Sequence, residues 1–446
     1  MAGARVAAGE MEQSMIGLTV LGGSPAIGRR IEERWAPPIE RQKALLGEML
    51  ERGEVTGAGG GIGKRFEASF AEYVGCRFAL SFSHGTAALA AAYYAAGVGP
   101  GDEVITPALG YIGSYAAAMH MGARPVFCDV APESLLIDPD RIRPLITRRT
   151  RAVNVVHLNG RVCDLGRIGE ICKDHALFLV DDASHAAGAE WDGRRVGNAG
   201  HVTCFSLQGA DPMGKPVAAG EGGMACTNDE TSYQRMLAYC HLHRDNLATE
   251  LAGGPLAFLD KEALGLKWRP HPLGMGLGLL SLESLEERTK KRRAHYSKLV
   301  ASLGRCSFLR PLTPHPSSRW GGFYNGIKVV YDPDQLGGAP LSTLSRALVA
   351  EGVPVSTQSA GHLEYRRRLF SHGFDLWGRG RGPIGAAWHG LDAFEAPSPA
   401  AFPVAESTRE KILTFPSFID VDEALYDGLA EALLKISRGR DELRQL

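Results

Sequence analysis

The chain has no C-x-x-C pair, no long apolar run and almost no net charge, and each absence removes a class of function. Its eight cysteines (Cys76, Cys128, Cys163, Cys172, Cys204, Cys226, Cys240 and Cys306) are scattered singly, so no metal site of the zinc type is expected. Several sit inside apolar runs, as Cys128 does in Pro125-Val126-Phe127-Cys128-Asp129-Val130. They read as buried free thiols, which implies a reducing compartment. No stretch of 18 apolar residues occurs, so no membrane-spanning helix is expected. The first residues hold Arg5, Glu10 and Glu12, too polar for a signal peptide. Together these features predict a cytoplasmic protein. A formal net charge of −1 gives no general attraction to nucleic acid or to acidic membranes.

What is present is an ordinary globular composition on a long chain. With 446 residues, one core is not enough and two or three lobes are expected. Residues 1–40 read as an N-terminal arm, 41–278 as a large domain and 279–446 as a smaller C-terminal α+β domain. A helix is expected over Glu40–Arg52, followed by a glycine-rich loop, Thr56–Gly63. That loop has no strand before it, so it is not a dinucleotide fingerprint; it reads as a loop shaping a pocket mouth. From Lys64 onward, strands alternate with helices. Strands are predicted at Phe78–Phe82, Glu103–Thr106, Pro125–Asp129, Ala152–His157, Phe178–Asp181, Val202–Ser206 and Gly223–Thr227. Helices are predicted at Arg65–Val74, Ala87–Ala96, Tyr115–Met121, Leu165–His175 and Thr231–His243. Such alternation implies an α/β protein with a mainly parallel sheet covered on both faces. Further on come a charged helix, Leu279–Leu303, read as a solvated connector, a strand at Phe323–Val330 and a helix at Pro340–Glu351. A Pro/Gly-rich segment, Gly378–Pro399, and a last helix, Val421–Arg438, complete the chain.

An α/β sheet of this kind places ligands at the carboxyl ends of its strands, and the chemistry-bearing residues fall there. Gly85 and Thr86 follow one strand and open a helix, where free N–H groups and the helix dipole favour a phosphate. Ser206, leaving another strand, adds a hydroxyl. Asp182 ends a third, as a carboxylate that keeps a pyridine nitrogen protonated should. His185 is within reach of a phenolic oxygen, and Tyr111 lies in a strand-to-helix loop where an aromatic ring stacks on a cofactor. Lys215 is the only lysine between Lys173 and Lys261. In an apolar, glycine-rich turn its amine loses solvation and becomes a neutral nucleophile. Taken singly, these residues are equally a helix N-cap, a core histidine, a core aromatic and a surface lysine. Taken together they are what pyridoxal 5′-phosphate requires.

In this order the residues resemble the DegT/DnrJ/StrS aminotransferases. The matching stretches include Gly53-Glu54-Val55-Thr56-Gly57, Arg65-Phe66-Glu67, His84-Gly85-Thr86-Ala87-Ala88-Leu89 and Gly101-Asp102-Glu103-Val104-Ile105. They continue through Pro125–Val130, Val156-His157-Leu158-Asn159-Gly160, Asp181-Asp182-Ala183-Ser184-His185, Phe205-Ser206-Leu207-Gln208 and Lys215–Gly223. The resemblance implies a fold-type I enzyme with a seven-stranded sheet between helices. It implies Lys215 as the Schiff-base lysine, Asp182 as the ring-nitrogen partner and His185 as the phenol-oxygen partner. Gly85, Thr86 and Ser206 would hold the phosphate, and Tyr111 would stack. It further implies a homodimer whose loop Gly265-Leu266-Lys267-Trp268-Arg269 reaches the partner's phosphate, with Lys267 where the family pattern has asparagine. Two departures stand out: residues 207–214 make a loop about four residues longer than that pattern, and Gly378–Pro399 looks inserted.

The expected activity is transfer of an amino group from glutamate or glutamine to a keto sugar or cyclitol ketone in aminated natural-product biosynthesis, through pyridoxamine phosphate. The alternatives are a dehydratase-like pyridoxal phosphate enzyme, whose relatives place histidine where Lys215 stands, and a binding shell without catalysis. Arg161 and Arg269 are guesses for the group that holds the donor carboxylate.

Overall fold

Seven segments of this chain carry apolar side chains toward both faces, and they form one sheet. In the computed structural model, residues 17–58, 60–259, 265–372 and 397–443 are described. The sheet order is Phe78–Phe82, Gly223–Thr227, Val202–Ser206, Phe178–Asp182, Thr150–Val156, Glu103–Pro107 and Arg124–Cys128. Only Gly223–Thr227 is antiparallel to its neighbours. Alternate residues feed two cores. Leu80, Val104, Ala152, Val180, Cys204 and Ala225 join one; Ala79, Ile105, Val153, Leu179, Phe205 and Met224 join the other. A sheet buried on both faces needs apolar side chains on each of them, which is why these segments are rich in apolar residues without strict alternation.

The two faces are covered differently. Gly85–Ala95 is built largely of alanine, which loses little side-chain entropy in a helix and lets the helix lie close on the small residues of its face. On the other face Gly61–Val74 presents Phe66, Phe70 and Val74 at helical spacing. Beyond the large sheet, a three-stranded antiparallel sheet forms from Leu309–Pro311, Ile327–Tyr331 and Ile412–Phe415. The helices Leu341–Ala350 and Ala424–Arg438 pack beside it.

Several sequence expectations change. The charged connector is two helices, Pro272–Glu283 and Leu285–Leu303. The second is not simply solvated, because Arg288 and Arg292 are buried. The expected strand Phe323–Val330 begins only at Ile327. Phe323, Asn325 and Gly326 all have positive φ, so the chain turns there before it can pair. The glycine-rich loop does not shape the mouth of the main cavity: Thr56, Gly57, Gly60 and Gly63 surround a separate small cavity with Glu67, Ser81 and Arg244. Within Gly378–Pro399, all but residues 397–399 lie outside the described residues.

One glycine ties the two parts of the structure together. Gly160 has φ +84°, and a Cβ there would sit 2.0 Å from the Gly321 carbonyl oxygen and 2.6 Å from the Phe323 nitrogen. Both neighbours are backbone, so no side-chain adjustment relieves the contact. Gly160→Ala is expected to destabilise the protein by at least ~2 kcal/mol, from left-handed strain plus the clash. Thermal denaturation checks this, and an unchanged melting temperature would contradict it.

Candidate active site

The carboxyl ends of the strands open onto one cavity of about 620 Å³. The ends of five strands contribute to its wall. His84, Gly85 and Thr86 follow Phe82; Tyr111 follows the Glu103–Pro107 strand; Leu158 and Asn159 follow Val156. Asp182, Ser184 and His185 end or follow the Phe178–Asp182 strand, and Ser206 ends its own. The loop after Ser206 then brings Lys215 to the same space. The small sheet contributes Tyr324 and Asn325, from just before Ile327. Gln358, Ser359 and His362 complete the wall, from a segment whose His362-Leu363 pairs with Leu109-Gly110.

At one end the cavity is made for an anion. The side chain of His84 caps the helix by accepting the Ala87 N–H at 2.9 Å. The first N–H groups of a helix have no acceptor within it, so those of Gly85 and Thr86 remain available at the positive end of the dipole. Gly85 is required here by its neighbour: a Cβ would lie 2.9 Å from Ser206 Cβ. Gly85, Thr86 and Ser206 thus frame one cup.

At the far side Asp182 is buried and oriented. Its Oδ2 accepts from Ser114 Oγ at 2.6 Å, and its Oδ1 accepts from the Ser184 N–H at 3.1 Å. The Ser114 carbonyl is itself held by Asn154 Nδ2 at 3.1 Å. A buried carboxylate whose oxygens are fixed by hydrogen bonds favours a cation placed against it. His185 has its Nδ1 occupied by the Asn159 N–H at 3.1 Å, so its proton is on Nε2. Burial, reinforced by the charges of Lys215, Arg161 and Lys328, pushes its pKa well below the ordinary value. It is a neutral hydrogen-bond donor at physiological pH.

Lys215 extends its Nζ to 3.8 Å from the centre of the Tyr324 ring. Burial lowers its pKa to about 8, and Asp182 opposes that shift. An appreciable fraction of the amine is therefore neutral near pH 7.5, which suits it to attack a carbonyl. Tyr324 also lies 4.7 Å from His185, centre to centre.

The expected residues Gly85, Thr86, Asp182, His185, Ser206 and Lys215 are thus brought together. Tyr111 joins them at the rim, 58% exposed, with its ring against the backbone position of Gly113. Lys267 does not line the cavity; it is exposed and bridges His241 through its backbone. Arg161 does not line it either. Its donors are used by Leu158 O, Ser134 O and Asn159 Oδ1 within the protein. Arg269 instead binds the His243 carbonyl at 3.1 Å. Sequence reading missed Ser114, Tyr324 and the segment Gln358–His362, and gave Asn159 no role beyond its place in a matching stretch. None sits in a recognisable spacing with its partner; Ser114 is 68 residues from Asp182.

Comparison with known proteins places this geometry. The sequence pattern of the DegT/DnrJ/EryC1/StrS aminotransferase family matches residues 39–352. The chain is 31% identical over 423 residues to the L-glutamine:2-deoxy-scyllo-inosose aminotransferase of Streptoalloteichus tenebrarius, covering 92% of this chain and 95% of that one. It is 30% identical over 435 residues to the enzyme of the same name from Streptomyces kanamyceticus, covering 95% and 97%. Its fold is similar to that of an aminotransferase from Psychrobacter cryohalolentis, with a TM-score of 0.75 and 25% identity over 90% of this chain and 97% of that chain. The chain belongs to the DegT/DnrJ/EryC1/StrS aminotransferase family, and it is an aminotransferase.

Proposed function

We propose that this protein transfers the amino group of L-glutamine to a cyclitol ketone of the 2-deoxy-scyllo-inosose type, using pyridoxal 5′-phosphate held in the cavity described above. The single observation that carries the cofactor reading is the convergence of a buried amine, a buried carboxylate and a helix-terminal anion cup on one space. The residues fit the group. Gly85, Thr86 and Ser206 would hold its phosphate, Asp182 would face its ring nitrogen, His185 would donate to its phenolic oxygen and Tyr111 would cover its ring. When bound, pyridoxal 5′-phosphate supplies an aldehyde that takes up amino groups and a ring that accepts the displaced electron pair. Asp182 would favour a protonated ring nitrogen, and Lys215 would be the amine that holds the group at its aldehyde. The same amine, when free, would be the side chain that moves a proton between the reacting carbons.

The glutamine donor and the cyclitol acceptor are supported by the names of the relatives. The outer cavity suits such an acceptor: beside Glu221, the exposed residues Gln208, Asn325, Gln358 and Ser359 are uncharged hydrogen-bonding groups matched to a ring of hydroxyls. A dehydratase-like activity is disfavoured by the same comparisons. We further read the assembly as a homodimer. Lys267 does not line the cavity of its own chain, so a role on the phosphate requires a second copy. We read the seven-stranded sheet as the core of the large domain and the Leu309–Pro311, Ile327–Tyr331 and Ile412–Phe415 sheet as that of the small one, with the helix Pro272–Glu283 running through the division near residue 279. A cytoplasmic location is supported by eight unpaired cysteines.

Three outcomes test this. Cofactor-stripped protein exposed to pyridoxal phosphate and then reduced with borohydride should carry the label on Lys215, and Lys215→Ala should carry none. The rate of attachment should rise with pH to a plateau, with its midpoint at about 8. A lysine in water would place that midpoint near ~10.4. With L-glutamine and 2-deoxy-scyllo-inosose, the protein should form the aminated cyclitol; turnover of a nucleotide-linked keto sugar in its place would overturn the acceptor assignment.

A further inference from the structure

We propose that the buried ion pair between Asp211 and Arg288 is a positioning device for the Lys215 amine, fixing both arms of the loop that carries it against the helix behind. The inference rests on Lys215 being the cofactor lysine.

A flexible side chain is placed no better than its backbone, and this loop has few internal supports. Its base closes where Gly209 and Gly220 exchange hydrogen bonds of 2.7 and 2.9 Å. Above that, Lys215 N–H donates to the Gln208 carbonyl at 2.8 Å and Gly214 N–H to that of Ala210 at 2.6 Å. Further anchoring comes from outside. Arg288 Nη1 donates to Asp211 Oδ1 at 2.7 Å, four residues before the lysine. Its Nη2 donates to Ser281 Oγ at 2.9 Å, and that oxygen accepts the Ala218 N–H at 3.0 Å, three residues after the lysine. One guanidinium therefore spans both arms. Arg292 adds a bond to the Pro212 carbonyl at 2.8 Å.

Stability is a poor explanation for this pair. Side-chain exposure is 1% for Arg288 and 5% for Asp211, and taking both charges out of water offsets much of their attraction. Burial raises the Asp211 pKa and lowers that of Arg288, each against the pull of its partner. What the pair supplies is direction: a planar fork that accepts one geometry. Trp35 seals it, with its ring 5.5 Å from the guanidinium carbon.

The test compares Asp211→Asn, Arg288→Met and the double variant with unmodified protein. In each, the rate of pyridoxal phosphate attachment to Lys215 is followed by timed borohydride reduction, alongside the melting temperature of the cofactor-free chain. Each single change should slow attachment by about 10- to 100-fold, the scale of a displacement near 1 Å. The double variant should be no slower than the singles, because one unit is removed either way. Melting of Asp211→Asn should stay within a few degrees of unmodified protein. Attachment at the unmodified rate in both single variants overturns the inference. So does a loss of attachment that merely tracks a large fall in melting temperature. Absence of label on Lys215 in the unmodified protein overturns the cofactor reading first, and this inference with it.

Discussion

The removal of one amine from water governs the whole site. For the proposed function, Lys215 has to be neutral enough to attack a carbonyl, yet close enough to Asp182 for one cofactor to meet both. Burial lowers its pKa and the Asp182 carboxylate raises it again, leaving it at about 8. The same dry environment keeps His185 neutral. In water each of these groups would revert to ordinary behaviour, so the walls that exclude solvent are as much part of the chemistry as the groups themselves.

Those walls come from distant parts of the chain. The large sheet delivers backbone and side chains at the ends of its parallel strands. The other face of the lysine is covered by Tyr324, which reaches it only because Phe323, Asn325 and Gly326 turn the chain before the small sheet begins. Gly160 lets that segment approach the large sheet within van der Waals distance. The helix Leu285–Leu303 ties the parts together from behind. Arg288 binds Asp211, and Arg293 binds Glu190. Its interleaved charges are thus divided between solvent and interior.

The legible features were those with a local cause. Strands buried on both faces announce themselves as apolar runs, and most boundaries came within a residue or two. Val202–Ser206 and Gly223–Thr227 agree at both ends. Residues at strand ends were legible because the fold class alone says where strands lead, and Gly85, Asp182 and Ser206 follow from that rule. The charged helix was misread because alternating signs look the same whether a side chain faces water or a buried acid. Ser114 went unnoticed because a serine opening a helix has no distinguishing local pattern; its meaning lies in the 2.6 Å bond to Asp182.

The sequence by itself determined the elements and the parallel sheet and singled out Lys215 as the candidate lysine, since propensity, periodicity and the scarcity of other lysines are properties of neighbouring residues. Only the tertiary structure decided how reactive that lysine is. Contact with Tyr324, opposition by Asp182 and the proposed anchoring by Arg288 act across 109, 33 and 73 positions of chain, and no local pattern encodes a contact over such separations. It also decided that Lys267 and Arg161 stay out of the cavity, because burial and hydrogen-bond partners exist only once the chain has folded.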